Sequence, residues 1–280
     1  MRTVWLNGEF VPETEAKVPI FDRALLFGQG VYEVTPVLDG HFCNWPHHAA
    51  RLERSKATAR IADDTDWPTV LNELIERNSL AEGRIYLQIT GGAPADRDFL
   101  SPAEPVSPTR FAFTQQAALI ANPMAETGMR VMLQPDGRWA IRSAKTTQLL
   151  YAVLAKEAAR EAGYDDAWLV ENGVITEATS ANAHIIDARG VLVSHPVDHG
   201  VLPGVTRLSV IDLAREIGIE VEERPFTPAE LLAAREAFIS SAGALVMPVV
   251  SVDGAPIGNG GPGVQTAELR RRYIARLSAR

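Results

Sequence analysis

The chain has 280 residues, 46% hydrophobic and 22% charged, enough for one large domain or two smaller ones, each with a buried core. A formal net charge of −8 without a basic block argues against nucleic acid as a partner, although local arginines still allow a small anion to bind. The single cysteine, Cys43, excludes an intrachain disulfide and a cysteine-based zinc site. The N-terminus has no signal-like apolar stretch and no run approaches a membrane span, so a cytoplasmic protein is expected.

In chain order, the first half reads as α+β. Asn7-Gly8 sits at the centre of a predicted hairpin over residues 5–11. Strands are predicted at 31–37 and around Phe42, on either side of Asp39-Gly40. Pro46 opens a helix carrying His48, Arg51 and Leu52, and Asp66-Trp67-Pro68 opens another. Residues 84–90 and 110–114 alternate as strands do. Between them, residues 91–102 are rich in Gly and Pro and charged in the middle, the length of a functional or mobile loop. Residues 118–127 are the candidate linker, which divides the chain into a smaller α+β domain, 1–120, and a larger domain, 121–280.

The second half opens with a strand at 129–133. The segment from Asp136 to Lys145 then leads into an apolar helix, predicted from Thr146 to near Gly163. Asn172-Gly173 between 167–170 and 174–177 is a strong hairpin signal. Further strands fall around Ile185, at 191–193 and at 237–239. Thr206 is expected to cap a helix running to Gly218, and Thr227-Pro228-Ala229-Glu230 reads as a capping box.

Only four lysines occur, Lys17, Lys56, Lys145 and Lys156. Lys156, among Ala155, Glu157 and Arg160, reads as an ordinary solvated residue. Lys145 does not. A cation next to a helix start is opposed by the macrodipole, and Leu149, Leu150, Val153 and Leu154 point to a buried helix face. A lone amine at an element junction suits imine chemistry on a carbonyl cofactor. Glu177 admits two readings of equal weight: an exposed strand-end acid, or a carboxylate that keeps a heteroaromatic nitrogen protonated. Gly204-Val205-Thr206 at a helix start and Ser240-Ser241-Ala242-Gly243-Ala244 after a strand suit an anion such as phosphate, with Arg51 as countercharge. His47, His48, His184, His195 and His199 form no metal-ligand pattern, so no metal is expected. His48 reads as orienting its helix, and Trp139 and Trp168 as packing residues.

Taken in order, these segments resemble the fold-type IV pyridoxal-phosphate enzymes, and within them the D-amino-acid transaminases. The resemblance runs from Phe21-Asp22-Arg23 and Phe27-Gly28-Gln29-Gly30-Val31-Tyr32-Glu33 through His48 and Arg51 to Arg138-Trp139 and Lys145. It continues over Thr176-Glu177, Ser180-Ala181-Asn182, Leu202-Pro203-Gly204-Val205-Thr206-Arg207 and Met247-Pro248. It implies a two-domain α+β / α/β architecture, pyridoxal 5′-phosphate as cofactor and a homodimer with the site between the domains and near the partner subunit. By the same resemblance Lys145 forms the internal aldimine and shuttles a proton, and Glu177 pairs with the pyridine nitrogen. Arg51, Val205, Thr206, Ser241 and Ala242 hold the phosphate, Ser180 belongs to the cofactor-binding set, and Tyr32 lies over the active site near the substrate.

The departures bear on substrate. Family D-amino-acid transaminases usually carry an Arg-x-His pair in the loop after the Ile-Thr strand, to grip the substrate carboxylate. Here that loop holds Arg97 but no histidine. Pro36, Ala24 and Gln29 replace a commonly basic residue, a glycine and an aspartate. Arg97 either folds inward to bind the carboxylate or pairs with Asp96 or Asp98 in solvent, an exposed pair of little worth. The leading expectation is a ping-pong transaminase of D-amino acids and 2-oxo acids with a non-standard carboxylate site. An (R)-selective amine transaminase, which needs no carboxylate clamp and takes primary amines, is the close alternative. A branched-chain aminotransferase, an aminodeoxychorismate lyase and a non-catalytic relative follow. The presence of both Lys145 and Glu177 argues against the last.

Overall fold

The structure, a computed structural model, describes residues 1–198 and 200–279; His199 therefore lies outside the described residues. By contacts the chain forms two compact units, Met1–Ala118 with Ala144–Gln148, and Leu119–Ser143 with Leu149–Arg280. The long segment of the first unit ends at Ala118. Lys145, assigned by sequence to the second domain, packs with the first unit because its segment pairs with a strand there.

The first unit is built on an antiparallel sheet. Its strands are β1 (Thr3–Leu6), β2 (Glu9–Pro12), β3 (Gly30–Leu38), β4 (His41–Phe42), β5 (Gly83–Thr90) and β6 (Arg110–Gln116), in the order β2-β1-β6-β5-β3-β4. Helix α1 (Arg23–Phe27) precedes β3, and α2 (Trp45–Ala59) and α3 (Trp67–Arg77) follow β4. On β5, buried Ile85, Leu87 and Ile89 alternate with half-buried residues, the period of two that puts one face inward. Leu52 of α2 and Leu71 and Leu74 of α3 join them in one core.

The second unit contains α4 (Met124–Thr127), β7 (Met129–Pro135), α5 (Leu150–Glu161), β8 (Asp166–Glu171), β9 (Val174–Ala178), β10 (Asn182–Ile186) and β11 (Leu192–Ser194). Then come α6 (Val205–Glu216), β12 (Val221–Glu223), α7 (Pro228–Leu232), β13 (Glu236–Ser241), β14 (Leu245–Val252), β15 (Ala255–Pro256) and α8 (Val264–Ser278). The sheet runs β12-β11-β10-β13-β14-β7-β8-β9, with β15 on β14. It is mixed: β7 is parallel to both β14 and β8, while β8 and β9 are antiparallel. The Ala178 N–H donates to Ala181 O at 2.9 Å. A tight turn thus joins β9, at one edge, to β10, near the other, and this connection requires the sheet to curl.

The expected turns are present. Asn172 and Gly173 both have positive φ, 52° and 77°, as a two-residue hairpin turn requires. The Thr227 hydroxyl accepts from the Glu230 N–H and the Glu230 carboxylate from the Thr227 N–H, completing the capping box. Three expectations need correction. Residues 146–148 are not helical: Thr146 bridges to Val31 and the Thr147 N–H donates to Gly30 O on β3, and α5 starts only at Leu150. Helix α5 buries Ala152, Ala155 and Ala159, whereas Leu150, Val153 and Leu154 are exposed; the alanine face packs on Ala167 and Leu169. Finally, Gly204, not Thr206, caps α6. Replacing Thr227 by Ala is expected to cost about 1 kcal/mol, in the range of lost N-caps, as a lowered urea midpoint with unchanged slope.

Candidate active site

Lys145 is placed by its own backbone. Its C=O accepts from the Tyr32 N–H at 3.1 Å, and its N–H donates to Ser55 Oγ at 3.0 Å. Thr146 bridges to Val31, and the Thr147 N–H donates to Gly30 O. The segment is therefore an extended rib against β3, five residues before α5, so the macrodipole argument for its oddity does not apply. The half-buried amine lies 4.1 Å from the centroid of the Tyr32 ring. Among the described residues it has no carboxylate within ion-pair distance, while the buried Lys56 pairs with Glu53 at 2.8 Å. Tyr32 is in turn stacked on Tyr86, 5.4 Å between centroids.

Ser55 and Arg51 are one turn apart on α2 and share its buried face. Arg51, expected as a countercharge, is itself paired. Its Nε and Nη2 donate to the two oxygens of Glu33, both at 2.7 Å, and His48 Nδ1 donates to the same carboxylate at 2.8 Å. Burial alone would raise the Glu33 carboxyl, but the Arg51 charge and these hydrogen bonds hold it down at about 2. Burial outweighs Glu33 at His48 and lowers its pKa, so the ring is neutral near pH 7. His48 thus orients α2, as expected, and Glu33 orients Arg51.

In the second unit, Glu177 is buried at the end of β9. One oxygen accepts from Arg138, and the other from Asn182 Nδ2 at 3.1 Å and the Leu202 N–H at 3.2 Å. Asp136 holds Arg138 from behind, 2.6 Å from its Nη2. Burial pushes the Glu177 carboxyl up from the usual carboxylate range against the pull of Arg138. The exposed-acid reading of Glu177 is thereby removed. A carboxylate has about four acceptor sites, and these three donors leave room for one more N–H.

The Asn182 amide also donates to Leu202 O at 2.9 Å. Its Oδ1 occupies the space that a Cβ on Gly204 would need, so only glycine fits there. From Gly204 the 12-residue helix α6 starts, with Val205 and Thr206 buried in its first turn. The Thr206 hydroxyl lies 3.2 Å from the Tyr273 hydroxyl. Ser241 ends β13 and Ala242 begins the turn after it, both half-buried; Ser241 Oγ accepts from the Ala244 N–H, and α6 packs against β13. Ser180 is exposed in the tight turn after Glu177.

Arg97 forms no ion pair with Asp96 or Asp98. Its guanidinium lies 5.0 Å from the ring centroids of both Phe27 and Phe99. The sequence reading gave no role to Glu33, Ser55, Arg138 or Asn182. The Glu33 and Asn182 contacts join residues distant in sequence or separated by a turn, and only the spacing of Asp136 and Arg138 hinted at a local pair.

A model of the family described as amino-transferase class IV matches residues 30–252. A D-alanine aminotransferase of Bacillus licheniformis is 35% identical, over 95% of this chain and 94% of that protein. One of Staphylococcus epidermidis is 34% identical, over 98% and 97%. The fold matches a branched-chain amino acid aminotransferase from Escherichia coli with TM-score 0.87 and 28% identity, over 99% and 94% of the two chains. It also matches a T.th. branched-chain amino acid aminotransferase with pyridoxamine 5′-phosphate, with TM-score 0.90 and 27% identity, over 100% and 95%.

The chain belongs to the class IV aminotransferases and has their fold-type IV architecture. It is an enzyme, an aminotransferase dependent on pyridoxal 5′-phosphate, with amino acids and 2-oxo acids as substrates. Each unit by itself holds groups of the kind that cofactor needs: in the first, an amine without a carboxylate partner among the described residues; in the second, a buried carboxylate with one acceptor site left and a buried helix N-terminus.

Because the Glu33 pKa is depressed in the fold, its stabilisation is complete above pH 4.5 and is lost as pH falls towards 2. The loss is roughly 3 kcal/mol for a carboxyl moved from 4.5 to about 2. Unfolding measured from pH 6 to pH 2.5 is expected to show this component in the wild-type chain and not in Glu33→Gln.

Proposed function

We propose that this enzyme transfers the amino group between D-amino acids and 2-oxo acids in a ping-pong cycle. The observation that carries the reading is the Lys145 amine, fixed through its backbone between β3 and α2 and left without an acid among the described residues. The D-series is supported by relatives named D-alanine aminotransferase that are 31–35% identical over nearly the whole chain, against 26–28% for the branched-chain enzymes.

Bound pyridoxal phosphate supplies an aldehyde that condenses with amines and a ring that draws electrons from the substrate's Cα. Lys145 Nζ holds the cofactor at rest. Once the substrate amine has taken its place, Nζ moves a proton between the substrate's Cα and C4′ of the cofactor. Glu177 keeps the ring nitrogen protonated: Arg138, Asn182 and Leu202 orient the carboxylate, and burial favours its sharing a proton. The backbone N–H groups of Val205, Thr206 and Ala242, with Ser241 and Arg51, bind the phosphate. Ser180 completes the cofactor set, Tyr32 confines the Lys145 amine, and Arg97 meets the substrate carboxylate.

One observation favours a second reading, an (R)-selective amine transaminase: the loop that carries Arg97 has no histidine. The holoenzyme is expected to transfer amino groups from D-alanine to 2-oxoglutarate faster than from L-leucine or (R)-1-phenylethylamine. Bleaching of the cofactor spectrum by the amine and not by D-alanine would select the second reading. Lys145→Ala is expected to remove the lysine-bound absorbance and lower turnover by at least 10²–10⁴-fold, on the order of a lost general acid–base group.

We further propose a cytoplasmic homodimer. No described helix is long and apolar enough to cross a membrane. Exposed Leu150, Val153 and Leu154 form a stripe at helical spacing on α5, which a second copy would cover. Leu150→Glu with Leu154→Glu is expected to yield monomers in sedimentation velocity; a wild-type chain that already sediments as a monomer would refute the dimer.

A further inference from the structure

The loop from Gly91 to Pro102 buries little of its own. Phe99 and Leu100 are 77% and 76% exposed, so apolar burial does not hold its far end. Arg23, at the start of α1 and only 6% exposed, does. Its Nη1 donates to Asp98 O at 2.8 Å and Leu100 O at 3.3 Å, and its Nη2 to Phe99 O at 3.1 Å. Its backbone N–H meanwhile donates to Gly92 O at 2.9 Å. One residue thus ties both the root of the loop and the three carbonyls that directly follow Arg97.

Arg23 is itself anchored. Its Nε donates to Gln29 Oε1, and Gln29 Nε2 donates to Ala59 O at the end of α2. Thr147 Oγ1 donates to Gly28 O at 3.2 Å and the Thr147 N–H to Gly30 O at 3.0 Å, joining α1 to the Lys145 rib. The Arg23 guanidinium carbon is 4.9 Å from the Phe27 centroid, and Arg97 lies 5.0 Å from the same ring. Among the described residues neither arginine has a carboxylate ion-pair partner. Neutral Gln29 satisfies a donor of Arg23 without cancelling its charge, so two cations flank one ring.

We propose that Arg23 is a positioning residue for substrate binding: by clasping the carbonyls of Asp98, Phe99 and Leu100 it holds Arg97 where the substrate carboxylate is met. This rests on the reading of Arg97 given above. Lysine cannot replace the clasp, because a single ammonium cannot span the four acceptors that the planar fork reaches.

The test uses the holoenzyme with D-alanine as donor and compares wild type, R97A, R23A, R23K and R23A/R97A. R97A and R23A are each expected to raise KM roughly 10- to 100-fold, as for a displaced binding group, with a much smaller change in kcat. R23K should fall between wild type and R23A. The double variant should be no worse than R97A, since the residues act as one unit. Trypsin cleavage after Arg97, followed at native conditions, should quicken in R23K and R23A. If R97A leaves KM unchanged, or wild type does not use D-alanine, the reading of Arg97 fails and the proposal with it. If R97A raises KM but R23A and R23K do not, if the two effects multiply, or if cleavage is not faster, the proposal alone is overturned. R23K keeps the test decisive should R23A fail to fold.

Discussion

The placement of Lys145 depends on a short run of backbone pairing. Residues 144–148 leave the unit that contains their neighbours in sequence and join the first unit, where Lys145 is hydrogen-bonded to Tyr32 on β3 and to Ser55 on α2. A lysine side chain has about 2 kcal/mol of rotamer entropy to lose. Fixing the main chain on both sides and laying the amine against the Tyr32 ring limits the freedom that remains. The lysine is set apart by position: its segment is held by backbone bonds while its amine meets no acid among the described residues.

Two buried glutamates show how environment divides one chemistry into two. Glu33 faces a bidentate arginine and a histidine donor, and these outweigh burial, so it stays ionised down to a pKa of about 2. It acts as a fixed anion that aims Arg51. Glu177 also faces an arginine, but Arg138 shares itself with Asp136. Burial then wins, and the Glu177 carboxyl is shifted up. A permanently ionised group suits a strut, whereas a carboxylate with a raised pKa can share a proton with a ring nitrogen.

Sequence revealed what is local. The Asn172-Gly173 turn, the Thr227–Glu230 capping box and the alternation of β5 each follow from residues within a few positions of one another, and all appear in the fold. The candidates Lys145 and Glu177 were legible as residue types at element junctions. What failed is tertiary. Nothing near Thr146 says that β3 will capture its backbone, so the helix was expected to begin too early. The leucines of α5 read as a buried face because apolar spacing identifies a stripe without naming what covers it; small Ala155 and Ala159 permit the close approach to Ala167 and Leu169 instead. The pairings of Arg51 with Glu33 and of Arg23 with residues 98–100 span 18 and 75 or more positions, a separation that periodicity cannot bridge.

Asn182 shows how tightly two features of the second unit are coupled. Its amide nitrogen donates to both Glu177 and Leu202 O, while its oxygen fills the space beside Gly204. The Leu202 N–H returns to Glu177, so the carboxylate and the chain entering α6 share one hydrogen-bonded frame. Any side chain at residue 204 would displace the asparagine, loosen two donors on Glu177 and shift the first turn of the helix together. Glycine is therefore required here by the crowding of its neighbour, its own φ of −67° being ordinary. The Glu177 carboxylate and the first turn of α6 gain a fixed spacing from such a frame, because neither can move without the other.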